Sequence, residues 1–465
     1  MSLSRREVLR VSAGGGLGIV VAGSLSSVAG APAAQAALRP PTGYGPLRPD
    51  PAGLLALPAG FRYRVIAQTG VTRLESGEPT PSDPDGMGLF PAPNGGSTLV
   101  CNHEIGATET YGVPALSGLT YDPGARGGAT TITVDRDGRR RGERVSLAGT
   151  HNNCAGGVTP WGTWLSCEES EQRAVGPFQK THGYAFEVDP HDAAANRRPV
   201  PLTFLGRFAH EAVVVDPLTH AIYQTEDAAN PNGLYYRWTP PPGFRGGKGR
   251  LRALAESADG DEAGTLEAMR CVSRGAVVVD LSQATKPGTT YQVTWVAVPD
   301  RDASSESVRK QVGTRKVTRA RKLEGAWWGD GGAYFVSSFA RTADGSAAEH
   351  DGQVWFYDPR RSTVTLKTIF GVNPAPDRRG GLDGPDNITV SPDGGVILAE
   401  DGGGLSHLIG VTEGGKAYPL ARNQLNNAEF AGPVFGADGT TLYVSVQNPG
   451  HVLAITGPWR RSPRR

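Results

Sequence analysis

Cysteine is scarce in this chain: four in 465 residues, at Cys101, Cys154, Cys167 and Cys271. So few exclude a disulfide framework, and their spacing matches no zinc ribbon. If Cys101 serves as a ligand thiolate, one internal bridge at most remains, and Cys154 with Cys167 is the expected pair. A convincing amphipathic helix of more than a few turns is also missing. The best stretch, residues 251–270, carries Gly260 and Gly264, which weaken it. Long apolar runs are lacking too. The most apolar segment, Val11 to Gly30, includes Gly14, Gly15, Gly16 and Gly18 and makes a poor membrane-spanning helix. Finally, no charge sign dominates: 47 Lys and Arg stand against 46 Asp and Glu. With no net basic charge and no basic face, nucleic acid is not an expected partner.

What is present begins with an address. Arg5-Arg6 within Ser4–Arg10 is a twin-arginine motif, followed by the weakly apolar run and by small residues at Ala34-Gln35-Ala36. Residues 1–36 therefore read as a removable export signal for the twin-arginine translocation machinery. Cleavage would leave 44 Lys and Arg against 45 Asp and Glu, a net charge of −1. A periplasmic or extracellular protein with no stable membrane span is expected. Residues 37–60 are Pro-rich and read as an arm or linker. From Phe61 onward the 64 Gly and 36 Pro, spread throughout, punctuate short β-rich runs. A phrase recurs: a β-rich run, an Asp, a Pro or Gly turn, another β-rich run. Asp135, Asp189, Asp216, Asp358, Asp393 and Asp438 occupy that turn position, where Asp caps the turn, so they are set aside as site residues. Irregular antiparallel repeats of this kind predict an all-β chain folded as a β-propeller with loop insertions over residues 61–465.

The chemistry gathers at strand ends. Leu99-Val-Cys-Asn-His-Glu104 runs an apolar strand into a thiol, an amide, an imidazole and a carboxylate, the donor types of a metal centre. The ending recurs at Trp164–Glu169, Ile222–Asp227 and Val396–Asp401, each closing on paired acids. A propeller would bring such ends to one axis. Converging carboxylates repel unless cations join them, so Cys101 and Glu104 and these acid pairs are expected at a metal cluster. Lys322 and Arg341 are candidates to orient an anionic group by charge-assisted hydrogen bonds. His103 and His210 fit ligand or structural roles alike. Trp161, Trp164, Trp327 and Trp328 read as packing between blades, and the basic run from Arg309 to Lys322 as a solvated loop with one useful member.

Taken in order, several motifs are specific: Asp85-Gly-Met-Gly88, Cys101–Glu104, Cys154–Glu169, Gly206–Glu211, Thr225–Asp227, Leu323–Gly325, Pro385–Asn387, Ala399–Asp401 and Gln447–Gly450. Through them the chain resembles the PhoX-type alkaline phosphatases from about Asp85 to about Gly450. The resemblance implies a six-bladed propeller whose channel holds iron (Fe3+) and calcium (Ca2+). It implies Cys101 as iron ligand, joined by Glu168 or Glu169. Glu211, Glu226, Asp227, Glu324, Asp386, Glu400 and Asp401 form the pool for the other metal sites, and Asn102 with a nearby Lys or Arg would hold the phosphate. Lys322 stands where an arginine is expected in the family, and the chain is shorter than the larger members.

The function expected is a secreted, monomeric phosphatase that hydrolyses small phosphate monoesters, and diesters as a further substrate class. The alternatives are a calcium-dependent propeller lactonase or esterase, and a non-catalytic propeller stabilised by ions.

Overall fold

The computed structural model describes residues 42–92, 95–378, 381–392 and 394–459. The export motif and Asp393 lie outside the described residues. Among those described, no helix is long and apolar enough to cross a membrane, and almost all regular structure is antiparallel strand.

Short runs of Val, Ile, Leu, Tyr and Phe bounded by Asp-Gly and Asp-Pro turns give strands of two to eleven residues. They stack as meanders around an axis. Each meander starts at an innermost strand: Pro84–Pro91, Asn153–Val158, His210–Val215, Leu323–Gly329, Pro385–Val390 and Phe430–Phe435. These six neighbour one another in a closed ring, each packed against the next and the last against the first. They are buried on both faces, whereas the outer strand Thr363–Phe370 alternates between buried and half-buried residues, the pattern of a sheet with one face toward solvent. Apolar clusters fill the gaps between blades. Leu165, Val213, Ile222 and Trp238 join the second meander to the third, and Tyr334, Val354, Ile388 and Leu398 join the fourth to the fifth.

The fold is a β-propeller, and the expected six blades need one correction. Strand Thr290–Ala297 pairs with Thr265–Ser273 on one side and Thr363–Phe370 on the other, which fuses the third and fourth meanders into one eleven-stranded sheet. Hydrogen bonding thus yields five sheets among the described residues, four of them with four or more strands. Six counts the inner strands, not separate sheets.

The ring is closed by the chain ends. Arg62–Gln68 forms the outer strand beside His451–Thr456, so one blade is built from both ends of the polypeptide. Part of the segment expected as an arm also joins the propeller: Leu55–Ala56 pairs with Ala417–Asn423. In the stretch 251–270, the best but weak candidate for an amphipathic helix, helix is confined to Arg250–Ser257, and Thr265–Ser273 is a strand. Gly264, at φ +85, sits at the break between them, where a Cβ would fall 2.4 Å from Thr239 O. All four cysteines are free and buried, so the expected Cys154–Cys167 bridge is absent. The cause is their placement: Cys167 packs in the apolar core with Leu165 and Phe204, while Cys154 heads an inner strand beside Glu169 and Glu211.

Candidate metal centre

One local device repeats around the ring. In every inner strand the pairing with the next strand slips by one residue. Pro84 faces His103 and then Met87 faces Cys101. The same step separates Asn153↔Glu168 from Gly156↔Ser166, and His210↔Glu226 from Val213↔Gln224. It recurs after Leu323↔Ser337, Pro385↔Glu400 and Ala431↔Ser445. Each is a β-bulge, which kinks the strand and re-aims one side chain. The residues that open these bulges are Asp85, Cys154, Glu211, Glu324 and Asp386 in the first five strands, and Gly432 in the sixth. Small neighbours let the bulges close on one another. A Cβ on Gly86 would stand 2.5 Å from Ala155 Cα, and one on Gly325 2.6 Å from Asn387 Cα. Among these bulges only a small cavity of about 20 Å³ is left, lined by Gly86, Ala155, Ala212, Gly325 and Gly432.

A second tier comes from the residue just past the second strand in four of the six meanders: Glu104, Glu169, Asp227 and Asp401. Side chains alternate across a strand, so these face the axis when their predecessors face into the blade. Among the described residues three donor groups emerge, each with its ligand atoms within 4.8 Å of one another: Asp85–Glu104–Cys154, Cys154–Glu169–Glu211 and Glu211–Glu324–Asp386. Cys154 and Glu211 are shared, so the groups form one continuous chain of donors. Lys322 closes the far side, with Nζ 3.1 Å from Glu324 Oε1, 3.6 Å from Asp401 Oδ2 and 3.8 Å from Asp227 Oδ2.

The electrostatics are severe. Burial, reinforced by neighbouring acids, pushes Asp85 and Glu324 up to about 7 and Glu104 up to about 8. Burial and like charges hold Glu169, Glu211 and Asp386 well above the carboxylate range. The Cys154 thiol is pushed up by burial and then by Asp85 and Glu211. Around Lys322 burial opposes the charge, but Glu324, Asp227 and Asp401 outweigh it and raise its pKa. One lysine does not balance this many acids. Asp85 Oδ1, moreover, is buried with no hydrogen-bond partner, a cost of a few kcal/mol unless something positive meets it. The donor set fits cations: a thiolate with carboxylates suits a softer transition metal, and the oxygen-only group suits calcium.

Residues 42–450 match the family model described as Alkaline phosphatase PhoX. The chain belongs to the PhoX alkaline phosphatase family. A solved structure of Pseudomonas fluorescens PhoX in complex with vanadate, a transition state analogue, is similar in fold, at 18% identity and a TM-score of 0.65, covering 87% of this chain and 96% of that one. A gluconolactonase from Xanthomonas campestris aligns at 12% identity and a TM-score of 0.41, over 90% and 98% of the two chains. No curated protein matches the chain in sequence.

In this PhoX family member the structure sorts the expected ligands. Glu104, Glu169, Glu211, Asp227, Glu324, Asp386, Asp401 and Lys322 meet at the channel mouth. Cys101 does not. It is fully buried among Met87, Leu99, Ile132 and Val434, because it lies three residues before the axis-facing Glu104 within regular pairing. The thiol among the acids is Cys154. Asn102 is likewise placed elsewhere: its Nδ2 donates to Cys154 O and Ala155 O at 3.0 and 2.7 Å, and its Oδ1 accepts from Trp164 and Ser166. Its amide is fully used in bracing the Cys154 bulge from the neighbouring blade and has no capacity left for phosphate. Arg341 stands beside Asp401 on a cavity wall, paired to Asp351.

The first acid of each pair turns into its own blade. Glu168 accepts from His182 Nδ1 at 2.6 Å and from the amides of His151 and Gly183. Glu226 takes Tyr236 and Arg309, and Glu400 takes His407 and the Asp383 amide. His103 does the same through Ser82 O and Thr130, and His210 binds Gly206 O, so both histidines are structural. In the basic run, Arg309 and Arg319 are buried and tie the loop down where a solvated loop was expected. Asp85, Cys154 and Glu429, whose pKa burial and then Asp401, Asp386 and Asp85 raise, were not singled out as ligands from sequence. A signal existed for the first two: acid or thiol followed by Gly or Ala, as in Asp85-Gly86, Cys154-Ala155, Glu211-Ala212 and Glu324-Gly325.

The sorting is testable within one pair. Glu169→Gln should weaken metal binding by about 100-fold or more, as loss of a ligand exceeds loss of a ligand's support, and should raise the melting temperature of metal-free protein by removing a repelling acid. Glu168→Gln should leave metal stoichiometry intact and cost about 2–3 kcal/mol of stability through its charge-assisted bonds. Metal analysis and thermal melts of the two variants check this, and equal metal loss in both would contradict it.

Proposed function

We propose that the chain is an exported, monomeric phosphatase that hydrolyses phosphate monoesters, and diesters as a further class, at a mixed iron and calcium centre in the propeller channel. The observation that carries it is the Cys154 thiol shared between two carboxylate groups, with the Lys322 ammonium at the edge of the third. Cys154 with Glu169 and Glu211 would hold the iron, and the oxygen donors Glu104, Asp85, Glu324, Asp386, Asp227 and Asp401 the calcium. When bound, such cations supply the positive charge that a phosphoryl group needs on its oxygens.

The chain's own residues do the rest. Lys322 is positioned to donate to a phosphate oxygen, and its three carboxylate neighbours keep it protonated across the working pH range. Ser338 Oγ donates to Glu324 Oε1 at 2.8 Å and fixes that carboxylate's direction. The twin-arginine motif supports export to the periplasm or beyond, where calcium is plentiful.

The test is direct. Metal-loaded protein, given a chromogenic phosphate monoester beside a lactone, should release product from the phosphate ester alone, and Lys322→Ala should lower kcat/KM about 100-fold, the worth of a buried charge-assisted contact. Lactone turnover without ester turnover would overturn the reading.

A further inference from the structure

The inner strands have a second end. Their bulge residues meet in the donor groups, while later residues of five of them, Leu89, Val158, Val215, Trp328 and Phe435, line one apolar cavity of about 300 Å³. These strands therefore run the same way, with the acids at one face of the propeller and this mouth at the other. Trp327 and Trp328 are half-buried there, and neither indole N–H is hydrogen-bonded among the described residues. Pro217 also lines the mouth, and beside it in the same turn stands Leu218, 73% exposed. Apolar surface gathered in this way marks an interaction site more often than scattered exposed side chains do.

No basic face was expected from the sequence, and here the fold assembles one turn by turn. Val134 pairs with Ser97 and Ser97 with Pro91, the far end of the first inner strand, which places the turn holding Arg139 at this face. Arg62 pairs with Thr456 and Thr456 with Thr441, whose neighbour Leu442 pairs with Phe435. Tyr357 pairs with Ala333 and Ala333 with Trp328, which brings in Arg360. Ala417 pairs with Val411, Val411 with Val396 and Val396 with Val390, which brings in Lys416. Arg245 precedes Gly246, whose amide donates to His220 Nδ1 in the Leu218 turn at 3.3 Å. All five cations are exposed, and none makes an ion pair among the described residues. Four exposed acids, Asp137, Asp330, Glu413 and Asp438, share the face and nearly balance them. The excess comes from the chain beyond Trp459. That ring stands 5.1 Å from Phe435 at the rim of the mouth, and four of residues 460–465 are arginine.

We propose that this face docks on an anionic lipid bilayer, with Leu218 and Trp328 entering the headgroup layer and the cations meeting lipid phosphates. The acids then face solution. Peripheral binding takes two signals, apolar insertion and attraction to anionic lipid, and this face carries both. Indole rings with a free N–H settle at the headgroup level, where one end is apolar and the other wet. A soluble polyanion would use the cations and leave the apolar mouth empty. The proposal is independent of what the acids hydrolyse.

The experiment sediments the metal-loaded chain, cleaved after Ala36 so that no signal segment contributes, with vesicles of phosphatidylglycerol or of phosphatidylcholine. Free calcium is removed first, so that it cannot bridge the acids to lipid. The chain should partition onto phosphatidylglycerol alone and be released at about 0.5 M salt, where screening is nearly complete. Arg245→Glu combined with Arg360→Glu should weaken partitioning about 25-fold or more, at about fivefold for each cation. Leu218→Ser, at a side chain exposed enough to spare the fold, should weaken it about fivefold. Equal partitioning onto both lipids, none onto either, or a double variant that binds like the unaltered chain would overturn the proposal. So would salt-sensitive binding that Leu218→Ser leaves unmoved, which would assign the cations to a soluble polyanion instead.

Discussion

Cys154→Ala is expected to abolish metal-dependent turnover, by roughly a thousandfold or more, as befits loss of a ligand common to two donor groups. Cys101→Ala is expected to leave turnover nearly unchanged. The contrast follows from position. Cys154 opens a bulge on an inner strand and lies within 4.8 Å of Asp85 and Glu104 on one side and of Glu169 and Glu211 on the other. Cys101 is wholly buried in an apolar cluster. Deleting its sulfur should cost about 1–2 kcal/mol of packing and lower the melting temperature by about 1–2 °C in a chain of this size. The measurements are metal content, turnover of a phosphate ester, and the visible absorption of a thiolate on iron, which only Cys154→Ala should lose. A metal-replete, active Cys154→Ala protein would remove the thiol from the centre.

Removal of metal should invert the pH dependence of stability. In an unfolded chain the basin carboxyls titrate at about 4 to 4.5. In the folded, metal-free protein burial and mutual repulsion raise Asp85 and Glu324 to about 7 and Glu104 to about 8, with Glu169, Glu211 and Asp386 also raised. Between those limits the folded form binds more protons than the unfolded form. The sign is therefore fixed: stability is fullest below about pH 4 for these groups and is lost as pH rises through 7 to 8. A tenfold change in one carboxyl's proton affinity on folding is worth about 1.4 kcal/mol, so the six together are worth several times that. Chelated protein should melt lower at pH 8 than at pH 5.5 by about 5 °C or more, while metal-loaded protein should show no such fall. Cations bound to the ionised carboxylates compete with protons, and metal binding should release protons into the buffer. Matching melting profiles with and without chelator would show that the acids do not hold cations.

Much of this centre was legible along the chain, and the part that was not has one cause. Acids at strand ends were visible because an apolar run ending in paired carboxylates is a local pattern. The spacing is a further signal in the sequence that the reading above did not use. Cys154 to Glu169 and Asp386 to Asp401 are each 15 residues apart, and Glu211 to Asp227 is 16, the length of a bulged inner strand, a turn and a second strand. The choice within each pair was not visible, since Glu168 and Glu169 are chemically alike and differ only in the face they take. Reading Cys101 as the metal thiol followed from its company, Asn102-His103-Glu104. In space that company separates: Glu104 faces the axis, His103 faces the blade, and Asn102 crosses to brace the neighbouring bulge. Glu429 carried no local mark, because it precedes the one inner strand whose bulge has glycine in place of an acid.

Composition and pattern alone determined the all-β class, the propeller architecture and a chemistry of many carboxylates with a thiol. Strand period, turn residues and donor types are properties of short stretches, so a linear reading reaches them. Only the tertiary structure decided which cysteine and which acids converge. Facing depends on where a bulge falls, and a bulge is a mismatch between two strands that neither strand's residues specify by themselves.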